Sequence, residues 1–410
     1  MHPELEREDQ YQLEPAGKVP FTLKKALRVL AAALIVLVGV WIVSRAGHAS
    51  DKDYISYWSA GKLLLHRSDP YSFEKVFTME KAIGLPIVQP IIMRNPPWAL
   101  FLSLPLGLCG PRFGLVLWIF AGTACILAFL RLLNVPQEDR IFAFFFAPTL
   151  GAFRLGQSSP FLLLGLSLFL YFYRSRPWLA GASLLLMAIK PHLFLVFWLV
   201  LLADCIYHRN LRILGGLSAS LVAASIFAMC FNPHIWRDYF TMLRSAQLNI
   251  QVFATTSMLL RLAISPNTPW VLFIPSMVGI AWGLWYYARN RKAWNWMHHG
   301  MLVLLVAVMT SPYGWFTDEI VLLPAFAFAL ALPVASPSRR KISMASLIAI
   351  DAIAIMVVLN FPIFTFAYIW TPAAWLVWFV YTTWEVPNRT QEAPISETYQ
   401  PHLQGADVFS

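Results

Sequence analysis

The sequence predicts an all-α, polytopic membrane protein, and three observations predict it. Charge is scarce: 58% of the residues are hydrophobic and 13% are charged, whereas a soluble domain is nearer ~25% charged. The apolar residues fall in long continuous runs, where a closed β-barrel would show short alternating segments. Seventeen Trp and 30 Phe suit lipid faces and interfacial belts.

Residues 1–26 are polar, with Lys18, Lys24 and Lys25 near the membrane, and read as a cytoplasmic tail. They are not a cleavable signal, because the polar stretch is long and no small-residue cleavage site follows the first apolar run. That run, 27–44, is long enough to cross the hydrocarbon at about 1.5 Å per residue. Further spans are expected near 113–133, 141–153, 159–173, 178–190, 191–206, 213–231, 270–288, 298–310, 319–335, 343–359 and 366–384. Basic loops set the orientation. Arg174/Arg176, His208/Arg209/Arg212, Arg289/Arg291/Lys292 and Arg339/Arg340/Lys341 all fall inside if there are about twelve spans with both termini cytoplasmic. The threading leaves 46–112 and 232–268 as large outer loops. The apolar piece 97–109 then lies in the outer interface, because it is short and Pro105 interrupts it. The alternative, a short true span, breaks the charge rule downstream. Residues 27–384 therefore form one membrane domain without internal repeat, and 385–410 form a polar, disordered cytoplasmic tail.

The net charge of +10 does not indicate nucleic acid, because the Lys and Arg are scattered through short loops. Cys109, Cys125, Cys205 and Cys230 lie in or beside apolar runs without metal-ligand spacing and read as free thiols.

The chain's chemistry is expected to gather around Ser50–Gly61. Asp51 and Asp53 stand two residues apart just after the first span. Tyr54, Trp58, Gly61 and Leu65 follow on one helical face, so either acid could be the helix N-cap. Asp-x-Asp could also hold a divalent metal beside a diphosphate. That use accompanies nucleotide sugars, which are cytoplasmic, so no metal or other cofactor is expected here. Arg94, Arg154, Lys190, His192, Arg244 and Arg261 fall on the outer side. Each could snorkel to lipid headgroups or hold a phosphate at the bilayer edge. Lys190, between two apolar runs, favours the second. Asp351 lies mid-span and is left out of the site.

The first outer loop resembles glycosyltransferase family 87 of the GT-C superfold. The residues that carry the likeness are Asp53-Tyr54, Tyr57, Ala60-Gly61, Leu64, Ser68-Asp69-Pro70-Tyr71, Asn95-Pro96-Pro97 and Pro105-Leu106. Gly156-Gln157, Ala180-Gly181, Lys190-Pro191 and Ser311-Pro312 with Trp315 follow in order. The likeness spans about residues 27–335. It implies a GT-C-like bundle whose first outer loop carries a catalytic Asp, here Asp53. After Trp315 the family pattern continues with one or two His. This chain has Phe316-Thr317-Asp318, with Asp318 or Glu319 as the expected stand-in.

The resemblance implies a transferase moving a hexose, such as mannose, or a pentose from a polyprenyl-monophosphate sugar to a lipid or glycan acceptor. The reaction would occur on the outer face of the cytoplasmic membrane. Asp53 would act as the base. Arg94, Lys190, His192, Arg261 and Gln157 would hold the donor. Asp51, Tyr54, Tyr57, Trp58, Trp315 and Asp318 would meet sugar or acceptor. The rival reading is a multi-span transporter or flippase, which predicts similar halves and midplane charges. No half-to-half similarity is present.

Overall fold

Apolar runs become helices in this chain because lipid offers the backbone no other hydrogen-bond partner. The protein is described here by a computed structural model covering residues 53–137, 139–245, 255–332, 336–362 and 365–384. The expected first span, both tails and Asp51 lie outside the described residues. Every regular element among the described residues is helical, and all belong to one compact unit, His48–Ser410.

After Asp53 come α1 (Tyr54–Leu65), α2 (Phe73–Ala82) and α3 (Leu100–Gly107). Next are α4 (Pro111–Leu132), the short pair α5 (Arg140–Phe145) and α6 (Ala147–Leu155), then α7 (Ser159–Phe172), α8 (Pro177–Met187), α9 (Leu195–Tyr207) and α10 (Leu211–Phe231). Two short helices, α11 (Ile235–Ser245) and α12 (Thr256–Ile264), precede α13 (Ile274–Asn290), α14 (His299–Met309), α15 (Leu323–Ala331), α16 (Pro337–Asn360) and α17 (Thr371–Thr383). Proline in the first turn starts α4, α7, α8, α16 and α17, where its missing N–H removes no helical bond.

Four helices are long and apolar enough to cross a membrane: α4, α10, α16 and the continuous segment Pro269–Ala293 that contains α13. The other expected spans are shorter. The helices α7, α8, α9 and α14 have 14, 11, 13 and 11 residues, or roughly 16–21 Å each at 1.5 Å per residue. They run between two polar layers. One layer holds Ser159, Lys190 and Ser311 at their ends. In the other, Asp204 on α9 accepts hydrogen bonds from Tyr173 Oη (2.6 Å), Trp296 Nε1 (2.9 Å) and Tyr287 Oη (3.3 Å), and pairs with His208 Nδ1 (2.9 Å). A buried carboxylate needs such partners. They tie the segments after α7 and before α14 to α9 and α13.

Close crossings rest on glycine, as in membrane interfaces generally. A Cβ on Gly61 of α1 would fall 1.9 Å from the Ser103 carbonyl oxygen of α3, and one on Gly181 of α8 would fall 1.9 Å from that of Ile213 in α10. The 97–109 segment, expected to stay out of the bilayer core, is a 3-10 turn at Pro97–Ala99 followed by the eight-residue α3. It is too short to span and packs on α1 instead. Asp351, unexplained in the sequence, accepts the Ala147 N–H at 2.8 Å. That is the positive end of α6, where an anion is stabilised.

Candidate active site

Asp53 immediately precedes α1 with αR backbone angles, yet its carboxylate makes no capping hydrogen bond to that helix. Its carbonyl takes over locally, accepting from Ser56 N (3.1 Å) and Ser56 Oγ (2.7 Å). The carboxylate is therefore left to a long-range partner. Asp53 Oδ2 accepts a hydrogen bond from Gln157 Nε2.

Gln157 is placed by Gly156, which ends α6 in the left-handed region at φ 67°. A side chain is strained there, and an added Cβ would fall 2.5 Å from Tyr54 Cβ. Trp118 Nε1 fixes the same turn by donating to the Gly156 carbonyl at 2.9 Å. Gly156→Ala is thus expected to destabilise the protein by about 1–3 kcal/mol, read as a lower midpoint of thermal unfolding in detergent.

Gln157 has a second partner. Its Oε1 accepts from Lys190 Nζ at 3.0 Å. Lys190 precedes Pro191, which bars the αR region and turns the chain out of α8 into a 3-10 turn. The end of α8 leaves carbonyls without helical donors. The Asn95-Pro96-Pro97-Trp98 segment supplies donors there: Asn95 Nδ2 to Ile189 O (2.9 Å) and Trp98 Nε1 to Ala188 O (2.8 Å). Tyr71 Oη holds the same segment through the Asn95 carbonyl at 2.9 Å. These bonds give the Asn-Pro-Pro motif its physical role. It stitches the segment between α2 and α3 to the Lys190 corner and brings Arg94 with it.

Lys190 Nζ also meets Asp318 Oδ1 at 2.6 Å, and both side chains are buried. Asp318 is held from two further sides, by Ser159 Oγ on Oδ1 (2.6 Å) and the Trp315 N–H on Oδ2 (3.2 Å). The result is a continuous chain: Asp53, Gln157, Lys190, Asp318, Ser159. Burial raises the Asp53 carboxyl to a pKa of about 6, against the opposing pull of Lys190, the Gln157 hydrogen bond and Arg94. Burial in turn lowers the Arg94 pKa, while the charge of Asp53 supports it. His192 stacks on Tyr313, ring centroids 3.6 Å apart and 18° from parallel. Asp53, Arg94, His192, Tyr313 and Trp315 are partly exposed and form the accessible side of this cluster.

Several expected site residues sit elsewhere or do something else. Tyr54 and Trp58 are buried, with Tyr54 Oη on the Pro111 carbonyl (3.0 Å) and Trp58 Nε1 on the Cys109 carbonyl (2.9 Å). Their polar atoms anchor α1 to α4 and its approach rather than facing a sugar. Tyr57 is also buried, stacked on Trp118 at 5.0 Å and donating to Ser158 Oγ at 2.8 Å. Asp318 is fully buried against Lys190. Arg261 is buried and donates to the Pro266 carbonyl, which pins the loop after its own helix. Arg154 donates to the Val358 carbonyl in the last turn of α16, a favourable place for a cation. Arg244 stays exposed on α11.

The sequence offers Asn95 only as part of the family likeness and assigns no role to Ser159 or Tyr313. Ser159 had a usable signal: it closes the polar run Gly156–Ser159 between two apolar helices. Asp51, the other acid of the pair, lies outside the described residues. Among the described residues no three His, Cys, Asp or Glu side chains gather as a metal-binding group.

Comparison with known proteins gives one match. The model of glycosyltransferase family 87 matches residues 94–312, from Arg94 in the segment between α2 and α3 to Pro312 before Trp315. No curated protein and no solved structure matches.

Proposed function

The chain belongs to glycosyltransferase family 87, and from that premise we propose that it transfers a sugar from a polyprenyl-monophosphate donor to a lipid or glycan acceptor, with Asp53 as the base. The observation that carries this reading is the Asp53 carboxylate itself. It is relieved of capping duty, held on one oxygen by Gln157, and set beside Arg94 and Lys190 at the ends of apolar helices.

A phosphate leaves without the acid that a glycosidase needs, so one carboxylate suffices where a hydrolase uses two. The acceptor hydroxyl attacks C1 of the sugar from the face opposite the phosphate. Its proton passes to Asp53 as the O–C1 bond forms. The C1–O bond to phosphate breaks with its electron pair going to the phosphate, and the anomeric centre inverts. Arg94, with His192 on the same accessible side, meets the departing phosphate and stabilises its growing charge. Tyr313 and Trp315 line the accessible side where sugar or acceptor enters.

The lengths of the helices support a lipid-borne donor. The site lies at the ends of helices only roughly 16–21 Å long, so its floor is sunk below the surface of a ~30 Å hydrocarbon core. A phosphate on an isoprenoid chain reaches such a depth from the side. Orientation follows from the long spans. Arg212, Arg289–Lys292 and Arg339–Lys341 each mark the span end remote from Asp53, while α4 carries Arg112 and Arg131 at opposite ends. Positive ends favour the cytoplasm, which supports a site on the outer side of the membrane and a lipid-borne rather than a nucleotide donor. The sugar is a hexose such as mannose, or a pentose.

The test is to incubate purified protein with a panel of polyprenyl-phosphate sugars and a lipid extract, then read acceptor masses. The expected result is a gain of one sugar residue from a lipid-linked donor. Transfer from nucleotide sugars instead, or movement of the donor lipid across vesicles without transfer, overturns the reading.

A further inference from the structure

We propose that Asp318 is a positioning residue for Asp53: it fixes Lys190, Lys190 fixes the Gln157 amide, and the amide presents the carboxylate. The inference rests on Asp53 being the base, and it assigns Asp318 a task at the far end of the same chain of bonds rather than at the substrate.

The Gln157 amide is the link between Lys190 and Asp53. A Gln side chain can turn either end toward a partner, but its two partners here leave no choice. The Lys190 ammonium only donates and an ionised carboxylate only accepts. Oε1 must therefore face Lys190 and Nε2 must face Asp53, as the structure has them. Turning the amide over would set donor against donor and oxygen against oxygen. Asp53 is thus held on Oδ2, while no described residue donates to Oδ1, which is left for an acceptor hydroxyl.

That arrangement is only as firm as Lys190. A Lys side chain has four rotatable carbons and a point charge, and could swing to a phosphate. Asp318 prevents this. It holds Nζ at 2.6 Å and is itself held by Ser159 Oγ at 2.6 Å and by the Trp315 N–H at 3.2 Å. Two of the three ammonium protons are engaged, by Asp318 and Gln157. One elements-deep consequence is that α7, the Lys190 corner and the Trp315 turn must all be docked before Asp53 is presented. The same geometry explains why an acid stands at the turn after Trp315: it is a counter-ion for Lys190.

The charged groups acting on Asp53 are Lys190, Asp318 and Arg94, with the Tyr57 ring also close enough to feel its charge. Two of them have opposite signs, so the proposal predicts opposite shifts. In detergent, the protonated-carboxyl infrared band of Asp53, assigned as the band lost in Asp53→Asn, is titrated against pH. Lys190→Gln removes the supporting cation and is expected to move the midpoint up. Asp318→Asn removes a negative charge, which by itself moves the midpoint down. Gln157→Met changes no charge but removes the bridge, and is expected to move it up. Positioning is therefore read from a double-mutant cycle: if Asp318 acts through the amide, Gln157→Met moves the midpoint less in the Asp318→Asn background than in the wild type.

A merely structural or purely electrostatic Asp318 would leave the Gln157→Met shift as large in the Asp318→Asn background as in the wild type. That outcome in folded Asp318→Asn overturns the proposal. If Asp318→Asn does not fold, Gln157→Met decides, and an unmoved midpoint overturns the bridge. The measurement needs no sugar donor. A normal set of shifts with no transfer from any lipid-linked sugar would overturn the transferase reading while leaving the positioning intact.

Discussion

Asp53→Asn is expected to lower the transfer rate by about 10²–10⁴-fold, the usual contribution of a general base, while leaving thermal unfolding unchanged. The substitution isolates the chemistry because the amide keeps an oxygen for Gln157 Nε2 to donate to. Asp53→Ala is the less clean variant. It leaves the buried Gln157 amide without its partner, at a cost of about 1–3 kcal/mol, so some loss of activity would come from a displaced Gln157. The wild-type pH profile supplies an independent check. A base must be deprotonated to act, and burial raises the Asp53 pKa to about 6. Activity should therefore fall as pH drops through about 6, well above the range where an ordinary exposed Asp would titrate, and that acid limb should vanish in Asp53→Asn. Near-normal turnover by Asp53→Asn in donor-saturated assays would remove Asp53 from the mechanism.

The helices were legible because their signal is local. Runs near 113–133, 213–231 and 343–359 become α4, α10 and α16 with ends shifted by a few residues, since hydropathy alone decides them. The short helices were placed correctly but not measured correctly. A 3-10 turn at Pro191–Phe194 and another at Phe316–Leu322 consume residues that the sequence reading counted as span. Within the candidate site, Lys190 is readable as a charge between two apolar runs, while Asp53, Gln157 and Asp318 are reached through the family likeness. Their pairing was not legible. Asp53 and Gln157 lie 104 positions apart, and Lys190 and Asp318 lie 128 apart, so no periodicity links them. The hydrogen bonds of Tyr54 and Trp58 to the Pro111 and Cys109 carbonyls are illegible in the sequence for the same reason. The aromatic-polar character of both residues fits a sugar as well as it fits a buried hydrogen bond, and only packing against Pro111 and Cys109 distinguishes the two. Asp51 and Asp53 posed the reverse problem. Local rules offered a helix cap for either, and the long-range bond to Gln157 took Asp53 out of that role.

Lys190→Met should be the most destabilising single change at the site, by about 3–5 kcal/mol, the usual effect of breaking a buried ion pair from one side. The size follows from what stays behind. Asp318 is fully buried, so without Lys190 its charge keeps only the Ser159 hydroxyl and the Trp315 N–H, and too little water reaches it to compensate. The pair itself contributes much less than that figure suggests, because desolvating two charges offsets most of their attraction. The combination Lys190→Met with Asp318→Asn should therefore recover most of the loss. It removes the stranded charge, and the introduced amide can offer its oxygen to the Trp315 N–H and its NH2 to the Ser159 hydroxyl, which accepts as well as donates. The two changes touch the same bond, so their effects should be strongly non-additive. Thermal or denaturant unfolding of the three variants in detergent measures this coupling directly. If both single changes are neutral, or if their effects simply sum, the Lys190–Asp318 pair is not the buried bond described here. The rescued double variant should remain slow in transfer even where it is stable, because its Gln157 amide is no longer fixed toward Asp53. Stability and activity would then separate at one pair of residues, which a purely structural ion pair does not allow.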